Sequence, residues 1–127
     1  MSVPVGIDSL RAEVARFGSA PYLLMVAADG RPHSVSVSVA WEGDELVAKC
    51  GSRTLANLAA RPLVSLLWAP AEAGGYSLIV DGDGAVRGEG DDARAIIRPT
   101  KGVMHRPAAG PVPEGAPCAD DCKPLLR

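Results

Sequence analysis

Three consecutive residues near the middle of the chain, Ser52, Arg53 and Thr54, could bind an anionic group. They follow Gly51, which separates a stretch with a strand pattern from a stretch with helical spacing. The first residues of a helix expose N–H groups that lack intrahelical partners, and they carry the positive end of the helix dipole. Hydroxyls and a guanidinium at that place suit a phosphate, so a phosphate-bearing ligand is the leading hypothesis.

Lys49, at the end of the preceding strand pattern, is the nearest second cation in the sequence. Other interpretations of these residues stay open. Ser52 and Arg53 could form an ordinary helix cap with a solvated arginine. Lys49 could serve only to keep the edge of a strand soluble.

A further signal is the alternation of apolar and small residues over positions 33–41. The apolar set is Val35, Val37, Val39 and Trp41, and the small set is Ser34, Ser36, Ser38 and Ala40. Such alternation indicates a strand with one buried face. Small side chains at Ser36 and Ser38 would let a planar ring approach the backbone, although a solvated sheet face is the usual meaning of this pattern.

Trp68 ends the apolar run 63–68 and is one of only two tryptophans in the chain. A large aromatic at the end of a strand pattern belongs by default to the core or to a subunit interface. Contact with the ring of a bound cofactor is the other hypothesis for Trp68.

The elements that would position these residues are mostly short strands. Apolar periodicity and turn residues predict helices at 9–17 and 54–60, and strands at 22–27, 33–41, 46–50, 63–68, 76–81 and 93–105, with 85–88 extending or repeating the fifth strand. Asp8 or Ser9 would cap the first helix, and Pro99 must lie at an edge or bulge of the last strand. The pattern predicts a mainly β fold, a small antiparallel barrel of six strands with two short helices, because closure removes exposed strand edges.

Composition excludes several classes of function. The chain has 127 residues, which fits one domain, and its 13 basic and 15 acidic residues leave a net charge of −2. No basic block is interleaved with aromatics, so nucleic acid is not an expected partner. No apolar run approaches the ~20 residues that span a bilayer, and the first residues lack a signal-peptide pattern. We therefore expect a cytoplasmic protein without a membrane partner.

The C-terminal part differs from the rest in composition. We expect a barrel domain at 1–106 and a proline-rich tail at 107–127, which contains Cys118 and Cys122. The two thiols could ligate zinc together with further ligands, form a reversible disulfide or remain free. No metal site is assigned.

The order and spacing of several segments resemble the pyridoxamine 5′-phosphate oxidase-like split β-barrel proteins, which bind FMN or a deazaflavin. The resemblance covers roughly residues 7–106, and its carriers are Asp29-Gly30-Arg31-Pro32-His33, Gly51-Ser52-Arg53-Thr54 with Asn57-Leu58, Arg61-Pro62-Leu63-Val64-Ser65-Leu66, and Tyr76-Ser77-Leu78-Ile79-Val80-Asp81-Gly82. It implies a homodimer with two cofactor sites at the subunit interface. It also implies that Ser52 and Arg53 hold the cofactor phosphate, with Lys49 and Thr54 assisting.

The chain departs from the family pattern in ways that bear on its activity. Thr54 stands where the family often has lysine. In the oxidase itself, residues of the fifth strand and of the C-terminus bind pyridoxal phosphate, and Ser77-Leu78-Ile79 and the tail of this chain lack those features. We therefore do not expect this chain to be a true pyridoxamine phosphate oxidase. The resemblance implies an oxidoreductase that transfers hydride between the cofactor and an unidentified small molecule; the alternatives are a non-enzymatic carrier or sensor of flavin, haem or another ligand, and a dimeric barrel without a cofactor.

No catalytic residue is assigned from the sequence. His33 and His105 do not combine with other residues into a Ser-His-Asp or Cys-His arrangement. A flavin carries out hydride transfer itself, and its protein supplies binding and orientation, so the flavin hypothesis requires no nucleophile.

Overall fold

The computed structural model describes residues 7–107 and the backbone of residues 120–126. It contains two α-helices, a single 3₁₀ turn and eight strands within these ranges. In chain order they are α1 (Ile7–Phe17), β1 (Tyr22–Val26), β2 (Pro32–Ser36), β3 (Val39–Glu42), β4 (Glu45–Ala48), α2 (Ser52–Ala60), β5 (Leu63–Trp68), β6 (Ser77–Arg87), the turn at Gly90–Asp92, β7 (Arg94–Pro107) and β8 (Asp120–Leu126). No helix among the described residues is long and apolar enough to cross a membrane.

The strands form one curled antiparallel sheet. Seven of them follow the order β2-β1-β5-β6-β7-β4-β3, and β8 pairs with β7 off this path. The two ends of that order, β2 and β3, are consecutive in the chain and are joined only by Val37 and Ser38. The sheet therefore curls into a split barrel, and because β2 and β3 form one bent segment, it corresponds to the predicted six-stranded barrel with two helices.

The predicted strand at 33–41 is thus divided in two. β2 pairs with β1, whereas β3 pairs with β4. At the bend, the Val37 N–H donates to the Pro21 carbonyl at 3.0 Å and the Val39 N–H donates to the Ser19 carbonyl at 2.8 Å. The alternation of side chains predicted a strand correctly, but it contains no information about this change of partner.

Other element boundaries also bear on the predictions. Helix α1 begins at Ile7, so the prediction that Asp8 or Ser9 caps it is wrong, and Asp8 lies in its first turn. Residues 85–87 extend β6, as one of the two predicted options had it. Pro99 lies at a bulge, since the β6–β7 register shifts between Asp81 and Gly82.

Helix α1 is fastened to the β3–β4 hairpin by Arg11. The Arg11 guanidinium lies over the Trp41 ring, 4.5 Å from its centroid. The same group donates a hydrogen bond of 2.7 Å from Nη2 to the Gly43 carbonyl. A cation over an indole combined with a backbone hydrogen bond holds the helix at one angle on the barrel.

Helix α2 packs closely on β6 through Leu58, which is fully buried. The strand has Gly84 at the contact, and a Cβ added there would overlap Cδ1 of Leu58 and lie 2.9 Å from its Cγ. The Gly84 N–H also donates to the Pro62 carbonyl at 2.7 Å. Only a residue without a side chain lets the helix and the strand approach this closely.

We predict that Gly84→Ala lowers the free energy of unfolding by about 1–3 kcal/mol, because the new methyl group overpacks the contact with Leu58. Chemical denaturation followed by circular dichroism measures this change. Ala85→Ser, at the adjacent exposed position of β6, is the matched control and should change the value by less than about 0.5 kcal/mol. Equal stability of the two variants would contradict the close packing of α2 on β6.

Candidate functional site

The first turn of α2 is open to a ligand. Gly51 is the N-cap residue, with φ −68° and ψ 163°, and no side chain caps the helix. The alternative in which Ser52 is the cap is therefore wrong, because Ser52 is already the first helical residue. The Leu55 N–H donates to the Gly51 carbonyl at 3.0 Å, which closes the first turn. Helix geometry gives the N–H groups before Leu55 no intrahelical acceptor.

Two of the three side chains predicted at this place are at the surface. Ser52 and Arg53 are exposed, whereas Thr54 is only 6% exposed. A hydroxyl and a guanidinium thus flank the open end of the helix. Thr54 belongs to the buried side of α2, and its exposed neighbours are better placed for a ligand in solution.

Lys49 and Ser38 are both exposed. The β3–β4 ladder ends with Val39 opposite Ala48, so Ser38 and Lys49 each lie one residue beyond its last pair. Lys49 is separated from the first helical residue, Ser52, by Cys50 and Gly51. All four residues that the sequence indicated, Ser38, Lys49, Ser52 and Arg53, are at the surface.

The small polar face predicted for residues 33–41 is also at the surface. Ser34, Ser36 and Ser38 are exposed, while Val37 and Val39 are buried. Ser36 is the last residue of β2 and Ser38 lies in the bend. Successive outward-facing residues of a strand are about 7 Å apart, so Ser34 and Ser36 form one small polar face on β2.

Trp68 is buried and does not lie on this surface. Its side chain is part of the hydrophobic core. Its indole N–H donates to the Gly18 carbonyl at 2.8 Å, a contact across 50 positions of sequence. This placement favours the core interpretation of Trp68 over contact with a cofactor ring.

Cys50 precedes the N-cap residue and is half-buried. Burial raises the pKa of the Cys50 thiol above its ordinary value, because desolvation disfavours the thiolate. This shift disfavours the thiolate, which is the nucleophilic form of cysteine. Of the cysteines in the tail, Cys118 lies outside the described residues and Cys122 has only its backbone described in β8, so their roles stay predictions.

A surface that the sequence analysis missed lies on the outside of β1 and β5. We call it the β1–β5 face, and it consists of Tyr22, Leu24, Val26, Leu63 and Leu67. Exposure is high, at 50% for Tyr22, 43% for Val26 and 75% for Leu63. The register places Tyr22 opposite Leu67 and Leu24 opposite Ser65. The apolar residues at the outward positions of β1 and β5 are the signal in the sequence that could have revealed this face. Using that signal would have required knowing that β1 pairs with β5.

A cleft of about 410 Å³ crosses this region and continues onto β6. Its polar wall includes Ser65, whose hydroxyl donates to Oδ1 of Asp81 at 2.6 Å. Thr100 donates from Oγ1 to the Asp81 carbonyl at 3.2 Å. Residues 49–54 do not line this cleft, so the helix start and the cleft are separate features of one chain.

Comparison with known proteins gives two kinds of similarity. No family model matches the chain. An uncharacterised protein of Mycobacterium bovis is 44% identical over 80 residues, which cover 60% of this chain and 56% of that protein. An uncharacterised protein of Mycobacterium tuberculosis matches with the same figures. The chain thus spans little more than half the length of these curated relatives.

Solved structures are similar over most of the barrel. A candidate pyridoxamine 5′-phosphate oxidase from Listeria innocua superposes with a TM-score of 0.64 and 16% identity, over 77% of this chain and 96% of that one. The chain has the split-barrel fold of the pyridoxamine 5′-phosphate oxidase-like proteins. A Clostridium acetobutylicum protein related to general stress protein 26, of the pyridoxinephosphate oxidase family, shares the split barrel with a TM-score of 0.62 and 10% identity, over 79% of this chain and 89% of that one.

A haem-binding protein from Mycobacterium smegmatis has the same split-barrel fold. Its TM-score is 0.59 at 15% identity, and the match covers 94% of this chain and 58% of that one. The TM-scores of these three structures establish the fold of the chain. Their sequence identities are too low to indicate which ligand the chain binds.

We predict that Trp68→Phe lowers the free energy of unfolding by about 1–3 kcal/mol, since it removes a hydrogen bond and leaves a packing defect in the core. Urea denaturation of the variant measures the loss. An unchanged free energy of unfolding would contradict the role of Trp68 in joining β5 to the Gly18 turn.

Proposed function

We propose that the protein binds FMN or a deazaflavin through its phosphate at the start of α2 and transfers hydride between this cofactor and an unidentified small molecule. The observation that carries the proposal is the exposed helix start without a side-chain cap, where Ser52 and Arg53 are at the surface. Lys49, three residues before the helix, is exposed as well. The fold similarity to oxidase-like proteins is consistent with a cofactor of this kind.

The donors at the helix start fit a phosphate group. A phosphate offers several strong acceptor oxygens and negative charge, which unpaired backbone N–H groups and the helix dipole stabilise. The Arg53 guanidinium can donate two parallel hydrogen bonds to it, and the Ser52 hydroxyl can donate a third. Lys49 adds a second positive charge, which compensates for Thr54 at the place where a lysine is common in the family.

The remaining residues of the proposed site would hold the ring. Ser36 and Ser38 are exposed and small, so a flat ring can approach the backbone of the bent segment. The cofactor supplies the hydride chemistry when it is bound, and the protein binds and orients it. Because Trp68 and Thr54 are buried, the proposal rests on the exposed residues.

We also propose that the protein is a homodimer that buries the β1–β5 face. The exposed apolar side chains there form one continuous patch around Tyr22, Val26 and Leu63, and contiguous apolar patches mark interaction sites. A second copy of the chain offers the same patch in a two-fold arrangement, which is the commonest symmetry of homo-oligomers.

A second candidate function is haem carriage without catalysis. It is favoured by the similarity to the haem-binding protein of M. smegmatis, which covers 94% of this chain. The absorbance spectrum of the purified protein, followed by titration with FMN, a reduced deazaflavin and haemin, separates the two. Turnover of an added electron acceptor favours the oxidoreductase, and tight binding without turnover favours a carrier.

We predict that Arg53→Gln weakens FMN binding by about 10- to 150-fold, which corresponds to about 1.5–3 kcal/mol for a lost charge-assisted contact. Riboflavin has the same ring system and lacks the phosphate, so its affinity should change little. Quenching of flavin fluorescence measures both dissociation constants. Arg16→Gln, at an exposed arginine of α1 that pairs with Glu13, is the control and should leave both unchanged.

Equal binding of FMN by Arg53→Gln and the parent protein would show that the helix start is not the phosphate site. The same titrations with 5-deaza-FMN and 5-deazariboflavin test the deazaflavin alternative. If the parent binds neither phosphorylated ligand more tightly than its phosphate-free partner, the proposed function is wrong.

We predict that Leu63→Glu converts the dimer to a monomer, because the change places a charge in an apolar interface at its most exposed side chain. Sedimentation equilibrium measures the mass of each species. Val86→Glu is the matched control, since Val86 is a further exposed apolar residue, at 36%, outside the β1–β5 face. A parent protein that is monomeric at all concentrations would contradict the proposed interface.

A further inference from the structure

We propose that Arg61, at the far end of α2, is a positioning residue for the phosphate site. The inference rests on the proposed function, and it concerns how the helix start is held in place. Arg61 follows the last residue of the helix and touches neither Ser52 nor Arg53 in the contacts that the structure shows.

Arg61 makes three hydrogen bonds at the end of the helix. Its backbone N–H donates to the Asn57 carbonyl at 2.9 Å. Its Nη2 donates to Oδ1 of Asn57 at 2.9 Å, and its Nε donates to the Val26 carbonyl at 2.8 Å. A single guanidinium therefore joins the last turn of α2 to the end of β1.

The acceptor on β1 lies just beyond the end of the β1–β5 ladder. The ladder between β1 and β5 ends with Leu24 opposite Ser65, so the Val26 carbonyl lies beyond the last pair. Arg61 supplies a donor at that point. The helix is thereby connected directly to the strand that leads, through the hairpin, into β2 and the bend at Val37 and Ser38.

The acceptor on the helix is buried. Asn57 is 8% exposed, so its amide oxygen needs an internal donor, and Nη2 of Arg61 provides it. The planar guanidinium donates from Nε and Nη2 in a fixed fork. A lysine at this position has one nitrogen and cannot reproduce the two directions together.

The two ends of α2 have different polar contacts. The last turn is fixed by Arg61, by the bond from Gly84 to the Pro62 carbonyl and by the burial of Leu58. The first turn is buried at Thr54 but has no side-chain cap. A helix of nine residues is about 13 Å long and behaves as a rod over that length, so the contacts of its last turn help to set the position of its first. Binding groups must stay within about 0.5 Å of their productive places.

The test compares FMN with riboflavin. The ratio of the riboflavin dissociation constant to the FMN dissociation constant measures how much the phosphate contributes to binding. A general loss of protein stability does not change this ratio. We expect Arg61→Lys to lower this ratio by about 3- to 10-fold, as one or two weakened hydrogen bonds would. Riboflavin affinity should change by less than about 2-fold. The 5-deaza-FMN and 5-deazariboflavin pair serves in the same way if the parent protein prefers deazaflavins.

Arg94→Lys is the matched control. Arg94 also binds two backbone carbonyls, those of Asp91 at 2.9 Å and Ala93 at 3.0 Å, but at the β6–β7 connection. Asn57→Ala is the second variant, which removes only the amide acceptor and retains the bond from Arg61 to Val26. It should lower the ratio in the same direction and to a smaller extent, so the inference stays testable if Arg61→Lys does not fold.

The possible outcomes separate the two proposals. A parent protein that binds FMN and riboflavin equally overturns the phosphate site, and the role of Arg61 with it. A parent that prefers the phosphorylated ligand, together with Arg61→Lys or Asn57→Ala variants that are folded and keep the parent ratio, overturns the positioning role alone. An equal fall of the ratio in Arg94→Lys also overturns it, because the effect would then be general.

Discussion

The covalent continuity of β2 and β3 across Val37 and Ser38 is the constraint on which this structure depends. The two strands lie at opposite ends of the strand order, so one bent segment joins the two ends of the sheet. Because the bend changes partner from β1 to β4, it brings Ala48, the last residue of β4, opposite Val39. The helix that follows β4 begins at Ser52, so the closure of the barrel also limits where its first turn can lie.

The same helix shows how a surface site is combined with a stable core. Its last turn is packed and hydrogen-bonded, through Leu58 against Gly84 and through Arg61 against Val26. Its first turn lacks a side-chain cap, which would otherwise occupy the donors that an anion needs. A helix secured at one end can leave the other end free for a ligand without losing its position.

The outside of the barrel is divided between small polar and apolar regions. Ser34, Ser36 and Ser38 make one part of it hydrophilic, while the neighbouring strands expose Tyr22, Val26 and Leu63. The two regions adjoin on one side of the sheet, because the β1–β2 ladder has Tyr22 opposite Ser36 and Leu24 opposite Ser34. Both regions arise because side chains alternate between the two sides of a strand. The other side of these strands is buried in the common core.

Local patterns of residues were enough to predict the element types, the mainly β barrel and the functional groups available at residues 49–54, because alternation, helical spacing and turn residues act over a few positions. The sequence restricted Pro99 to an edge or a bulge, since proline lacks the N–H that a ladder requires, and the structure has it at a bulge. Tertiary structure alone decided which elements are neighbours. Four features show this: the division of 33–41 into two strands, the register that places Val39 opposite Ala48, the bond from Trp68 to Gly18 and the bond from Arg61 to Val26. Each joins positions that are distant along the chain or depends on the closure of the barrel. Pairing of this kind follows from the burial of the whole core, which no local pattern of residues contains.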